Sequence, residues 1–210
     1  MTQDIYAVLQ RRRTKGETIE DFPTPPWAGR ALIEHVIGDC WREDFAWEPA
    51  CNRGYLVRGI RDYFTQVRLS DIVYYAGRFD TVRDFLEKGN DGADLTDWLI
   101  TNPPFALAEQ FALRAKDVAR IGTALLVRTT FAESVKRYER LFKPYPPSIV
   151  AQFVERVPMV RGRCDPNAST ATAYCWMVWM KGVTHTRFMW IPPCRRQLER
   201  PGDYCENPTP

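Results

Sequence analysis

Residues 95–105 read Leu-Thr-Asp-Trp-Leu-Ile-Thr-Asn-Pro-Pro-Phe. Leu95, Trp98, Leu99 and Ile100 suit a buried strand of Asp94 to Thr101. Asn102-Pro103-Pro104 stops it. Proline fixes φ and removes an N–H, and the residue before a proline is pushed toward extended geometry. A helical stripe follows at once over Phe105 to Ile121, with Leu107, Phe111, Ala115 and Val118 inward. The same strand–loop–helix change occurs upstream. Phe45-Ala46-Trp47-Glu48 reads as a strand, Pro49 to Arg53 as a loop, and Gly54 to Phe64 as a helix.

Working outward, the alternation continues. Trp27 to Ile37 predicts a helix, with Thr24 as its N-cap and Gly38 as its end. Gln66 to Tyr74 predicts a strand that ends near Asp71, and Arg78 to Lys88 a short helix. Gly122 to Val127 predicts another strand and Phe131 to Phe142 another helix. Beyond the Pro-rich break at 144–147 only strands are expected, at Ile149 to Val157, Ala171 to Met180 and Thr186 to Ile191. Alternation followed by strands alone predicts an α/β sheet, mostly parallel, with an antiparallel C-terminal edge and helices on both faces. Tyr174-Cys175-Trp176-Met177-Val178-Trp179 reads as core. Three regions follow: an N-terminal helical arm at 1–20, an α/β domain at 21–193 and a polar, loosely held tail at 194–210.

The chain has 210 residues, 45% hydrophobic and 26% charged, with net charge +3. That is an ordinary globular composition, which excludes disorder and collagen. The charge permits a polyanionic partner without arguing for one. The longest uncharged apolar stretch, Ala171 to Met180, falls well short of the roughly 20 residues of a bilayer span, so no membrane partner is expected. The N-terminal charges follow the apolar residues rather than precede them, which does not fit a signal peptide; a cytoplasmic location is expected. The six cysteines form no C-x-x-C pair and the two histidines lie far from them, so neither a disulfide framework nor a metal site is expected.

In an open parallel sheet, ligands bind beyond the carboxyl ends of the strands, where the strand order reverses. The loops at 48–54 and 102–105 both lie at such ends. The second offers the Asn102 side-chain oxygen and the Pro103 carbonyl as acceptors, with the Phe105 ring beside them. Two acceptors and a stacking plane suit a planar group bearing an NH₂, such as a base edge. Taken alone, the loop also suits a rigid strand-to-helix turn with Phe105 in the core.

Together, Trp47-Glu48-Pro49-Ala50-Cys51-x-x-Gly54, Ser70-Asp71-Ile72, Asp84-Phe85-Leu86 and Thr101-Asn102-Pro103-Pro104-Phe105 resemble the ordered motifs of S-adenosylmethionine-dependent adenine-N6 DNA methyltransferases. Pro23-Thr24-Pro25-Pro26 resembles that family's N-terminal cofactor motif. The resemblance is nearest to small phage- and prophage-type members and spans about residues 21 to 193. It implies a Rossmann-like methyltransferase sheet that takes S-adenosylmethionine as cofactor and DNA as partner, with no metal. It implies that Glu48, Pro49, Ala50, Cys51, Asn52 and Gly54 wrap the methionine part, and that Thr24 and Pro25 close over it. Asp71, with Ile72, would meet the ribose, and Asp84 and Phe85 the cofactor's adenine. Asn102 and Pro103, followed by Pro104, would hold the target amine of a flipped-out base, and Phe105 would stack on that base.

The family usually has glycine where this chain has Asn52, the residue type that most readily replaces glycine in a left-handed turn. Little chain remains for target recognition, so DNA contacts are expected from Arg128, Arg161 and Arg163, with low sequence specificity and strong salt dependence. Two other readings stay open on the sequence: methylation of protein glutamine or RNA, and a degenerate, non-catalytic nucleic-acid-binding relative.

Overall fold

A computed structural model describes residues 20–38, 44–75, 81–87 and 95–205. The helix expected at 1–16 lies outside them. Eight strands form one sheet in the order β3-β2-β1-β4-β5-β7-β6-β8. They are β1 Phe45–Glu48, β2 Gln66–Asp71, β3 Thr81–Val82, β4 Thr96–Thr101, β5 Ala119–Arg128, β6 Ile149–Phe153, β7 Tyr174–Met180 and β8 Arg187–Ile191. Pairing is parallel except at β7, which runs antiparallel to both β5 and β6. The reversed strand therefore falls in the C-terminal part of the sheet, with β6 and then the edge strand β8 outside it. Between β1 and β4 the strand order reverses, with Ala46 and Trp47 paired to Trp98 and Leu99.

Helices cover both faces. On one lie α1 (Pro26–Leu32) and α2 (Tyr55–Ile60). Their Trp27, Leu32, Leu56 and Ile60 pack with Trp98, Ile100, Leu126 and Trp176. On the other, α3 (Ala108–Val118) places Phe111, Ala115 and Val118 against Trp47, Leu99, Leu125 and Trp179. The alternation Trp98/Leu99 and Trp176/Met177 between the two cores is the period of a strand buried on both sides. Four of the buried indole N–H groups find acceptors. Trp47 donates to Ser70 Oγ, Trp98 to Asp44, Trp176 to the Ala28 carbonyl and Trp179 to the Tyr145 carbonyl. The strand at 174–180 is core, as expected. The crossing of α1 and α2 requires Gly59, where a Cβ would lie 2.1 Å from the Pro26 oxygen.

Several boundaries differ from the sequence reading, each for a local reason. Thr24 is not the N-cap of α1. Pro26 stands at the first helical position, so the cap falls on Pro25 and no side chain caps the helix. At its other end α1 loosens into a wide π-type turn, Ile33–Ile37, before Gly38 stops it at φ 60°. The short helix expected over 78–88 is replaced, in its described part, by β3 and a turn. β-Branched Thr81 and Val82 fill the open edge of β2, and Arg83 N–H donates to the Asp71 carbonyl. α3 ends at Val118, not Ile121, because Ala119 pairs with Thr96 and begins β5. The helix expected at 131–142 is broken before α4 (Val135–Arg137), with Ser134 accepting from the Arg137 N–H, and then continues as a π-type turn, Tyr138–Phe142.

The tail is not loosely held over its described part. α5 (Arg195–Leu198) leads to Asp203, whose carboxylate forms a buried pair with Arg30 of α1 through 2.7 and 2.8 Å hydrogen bonds. Arg58 of α2 donates to the carbonyls of Gly202, Asp203 and Cys205. Cys51, Cys164, Cys175 and Cys194 are buried thiols and Cys205 is an exposed one. Among the described residues no helix is long and apolar enough to cross a membrane, and no His/Cys/Asp/Glu cluster could hold a metal ion.

Candidate active site

A cavity of about 280 Å³ opens where the strand order reverses, beyond the carboxyl ends of β1, β2, β3 and β4. Strand ends bring the sequence motifs together there. Its walls include Thr24, Glu48 to Asn52, Asp71, Ile72, Asp84, Phe85 and Asn102 to Phe105. Of the site residues expected from the sequence, Pro25, Gly54, Arg128, Arg161 and Arg163 do not line it. Pro25 starts α1. Gly54 starts α2 at φ 77°, a left-handed position that lets the loop turn into the helix.

Asn52 adopts φ 51°, the only positive φ of a non-glycine residue among those described. The left-handed turn expected of a glycine therefore survives. Its side chain does more than tolerate the turn. Nδ2 donates to Asp21 at 2.8 Å, and Oδ1 accepts from the Arg53 N–H at 2.7 Å. Its own N–H donates to Asp71 Oδ2 at 2.8 Å, while Asp71 Oδ1 accepts from the Val73 N–H at 2.9 Å. Asp71 thus pins the 49–54 loop to the end of β2.

Glu48 ends β1 with 2% exposure. Its Oε2 is buried and has no hydrogen-bond partner among the described residues. Burial, with the Asp71 charge adding to it, raises its carboxyl well above the usual carboxylate range. Asp84 turns the chain by accepting from the Leu86 N–H at 2.9 Å. Phe85 is locked edge-on against Trp47, with ring centroids 5.3 Å apart, and against Phe111 at 4.8 Å.

At the end of β4, Asn102 Nδ2 donates to the Phe22 carbonyl at 3.0 Å and lies 3.7 Å from Met159 sulfur. These contacts orient the amide. Its Oδ1 is left buried and without a partner among the described residues. The Phe105 N–H donates to Glu20 at 2.6 Å. The Phe105 ring lies 5.7 Å from Phe22 and 6.2 Å from Tyr174, and the Arg128 guanidinium sits 3.9 Å from its centroid. Arg128 thus stacks on the ring the sequence assigns to a base. Arg161 and Arg163 are exposed on the neighbouring turn, with Arg163 paired to Asp165 at 3.3 Å.

The sequence reading missed Glu20, Phe22, Tyr75 and Arg83, which also line the cavity, and Asp21, which joins its walls. Glu20, Asp21 and Phe22 directly precede the Pro-Thr-Pro-Pro segment; that adjacency was the available signal. Tyr75 and Arg83 carry no motif.

No protein-family model matches the chain, and no curated protein sequence does. Solved structures do. The methyltransferase subunit of a type I restriction-modification system from Streptococcus thermophilus aligns at TM-score 0.61 with 10% identity, covering 90% of this chain and 50% of that one. This chain therefore spans half the length of that subunit. A Burkholderia thailandensis 1,6-didemethyltoxoflavin-N1-methyltransferase, solved with 1,6-didemethyltoxoflavin and S-adenosylhomocysteine, aligns at TM-score 0.50 with 13% identity, covering 86% of both chains.

Proposed function

We propose that the protein, whose sheet has the Rossmann-like methyltransferase fold, transfers a methyl group from S-adenosylmethionine to the N6 amino group of adenine in DNA. One observation carries the reading: at the sheet's switch point, Asn102 presents a buried amide oxygen that has no hydrogen-bond partner among the described residues and whose orientation is set by its bond to Phe22.

The residues fit the cofactor. An orphaned buried acceptor such as Glu48 Oε2 costs free energy until a donor reaches it. The α-ammonium of a methionine moiety is such a donor and also stabilises the ionised carboxylate. Asp71 would receive ribose hydroxyls, Asp84 the adenine amine, and Phe85 and Ile72 the apolar faces. The bound cofactor supplies an electrophilic methyl group on a sulfonium sulfur.

The chain's own part is positioning. The exocyclic amine of adenine is a weak nucleophile because its lone pair is delocalised into the ring. Donation of both N–H groups, to Asn102 Oδ1 and the Pro103 carbonyl, favours a pyramidal nitrogen with a localised lone pair. Holding the amine and the methyl donor in near-attack geometry can supply up to roughly 7–11 kcal/mol of the barrier. A base entering the site takes the place of Arg128 against Phe105 and regains about 1–3 kcal/mol by stacking. Displaced from the ring, Arg128 is free to meet a phosphate. DNA as acceptor is supported by the motif order and by the restriction-modification subunit among the similar structures.

The test is incubation with methyl-labelled cofactor and separate DNA, RNA and protein acceptors. Label in DNA that disappears in Asn102→Ala supports the reading. Label confined to RNA or protein, or cofactor bound without transfer to any acceptor, overturns it.

A further inference from the structure

Glu20, Asp21 and Phe22 make consecutive contacts to opposite walls of the cavity. Glu20 accepts from the Phe105 N–H, and the Phe22 carbonyl accepts from the Asn102 amide. Both contacts belong to the acceptor side. Asp21, between them, turns to the cofactor side. Its Oδ1 accepts from Asn52 Nδ2 at 2.8 Å and Arg53 Nη1 at 2.7 Å, and its Oδ2 accepts from Arg53 Nη2 at 3.0 Å. Such a fork-to-fork pair fixes orientation as well as distance. Its backbone carbonyl accepts from the Gly162 N–H at 2.8 Å, which anchors the segment to the turn beside Met159. Burial pushes the Asp21 carboxyl up, but the bonds from Arg53 and Asn52 outweigh it and hold it low. The carboxylate is therefore charged whenever the clamp forms.

The consequence is mechanical. If the 49–54 loop moves, Asn52 and Arg53 move with it, and they carry Asp21. The next residue is the one whose carbonyl sets the Asn102 amide. We propose that Asp21 is a positioning residue: its clamp on Asn52 and Arg53 couples the cofactor loop to the Asn102 amide, so that ordering one half of the cavity orients the other. This explains why the loop carries Asn52 where glycine would satisfy the turn alone: glycine has no side chain to reach Asp21. The proposal rests on the functional reading for its chemistry, not for its geometry. Asp21 touches neither substrate nor cofactor in this scheme.

The test separates the two. In asparagine-labelled full-length protein, the Asn102 side-chain amide signal is assigned by Asn102→Ala and followed in Asp21→Asn, Asp21→Glu, Arg53→Gln and the charge-swapped Asp21→Arg/Arg53→Asp pair. Asp21→Asn and Arg53→Gln are expected to shift and broaden that signal. They are also expected to weaken S-adenosylhomocysteine binding about tenfold, and to lower kcat for methyl transfer more than they raise KM for DNA. Asp21→Glu and the swapped pair are expected to recover part of each effect. An Asn102 signal unmoved by Asp21→Asn and Arg53→Gln, both folded, overturns the coupling. A wild-type protein that binds no S-adenosylhomocysteine overturns the functional reading, while the amide signal still decides the coupling.

Discussion

The Asn102 amide nitrogen donates to the Phe22 carbonyl at 3.0 Å, across 80 residues of sequence. This single bond decides which end of the amide faces the cavity. It converts a strand-terminal asparagine into an aimed acceptor whose oxygen has no partner among the described residues.

Replacing Asn102 with Ala removes that acceptor. Methyl-transfer kcat is expected to fall about 10²–10³-fold, the usual loss for one preorganised partner of a transition state. S-adenosylhomocysteine affinity, measured by calorimetry, should stay within a few-fold. Asn102→Asp keeps an acceptor but cannot donate to Phe22, so its kcat should fall between the two. A kcat for Asn102→Ala close to wild type would remove Asn102 from the chemistry.

Glu48 carries a pH signature. Its carboxyl is raised by burial and by Asp71, so the folded protein binds this proton more tightly than the unfolded chain. Its stabilising contribution is full below the ordinary carboxylate pKa and is lost as pH rises through the raised value. Glu48→Gln should therefore melt higher than wild type at pH 8, by ~2–4 °C for each kcal/mol relieved, and the gap should close toward pH 4. Because a cationic ligand needs the ionised carboxylate, wild-type cofactor affinity should climb with pH over the same window. In Glu48→Gln it should be weaker and flat. Calorimetry across that range reads both slopes.

Asp71 has two tasks, since it holds the Asn52 and Val73 N–H groups and lines the cavity. Asp71→Ala is expected to weaken S-adenosylhomocysteine binding at least about tenfold and to cost roughly 1–3 kcal/mol through the stranded N–H groups. Denaturant titration and calorimetry measure the two losses separately. Unchanged affinity would refute the ribose assignment.

The tail prediction concerns stability alone. Arg30 and Asp203 are buried to 3% and 4% side-chain exposure. Asp203→Ala leaves the guanidinium uncompensated and should cost about 3–5 kcal/mol in urea unfolding. The double replacement Arg30→Met/Asp203→Leu should recover most of that loss. A single variant as stable as wild type would show that the pair is not what holds the tail.

The parts of this molecule legible in the sequence are those governed by local period and by proline. β1, β2 and β4, the glycine stop after α1 and the two loops facing each other across the switch point all follow from apolar runs ended by Glu48-Pro49, Asp71 and Asn102-Pro103. What was not legible depends on partners far along the chain. Thr81 and Val82 form a strand only because the edge of β2 is open. Ala119 leaves its helix because Thr96 pairs with it. Asp203 orders a polar tail because Arg30, buried in α1, needs a counter-charge. Within the site, the two loops at 48–54 and 102–105 that meet at the cavity were legible from their motifs. The Glu20 to Phe22 segment was not, since its importance lies in reaching Phe105, Asn52, Arg53 and Asn102 at once.

The central claim is that methyl donor and acceptor meet between the ends of β1 and β4. A crystal structure with S-adenosylhomocysteine tests it most directly. The account predicts the α-ammonium on Glu48, the ribose on Asp71 and the thioether sulfur facing the Asn102 oxygen. A ligand bound elsewhere, or held in the cavity with its sulfur turned away from Asn102, would contradict it.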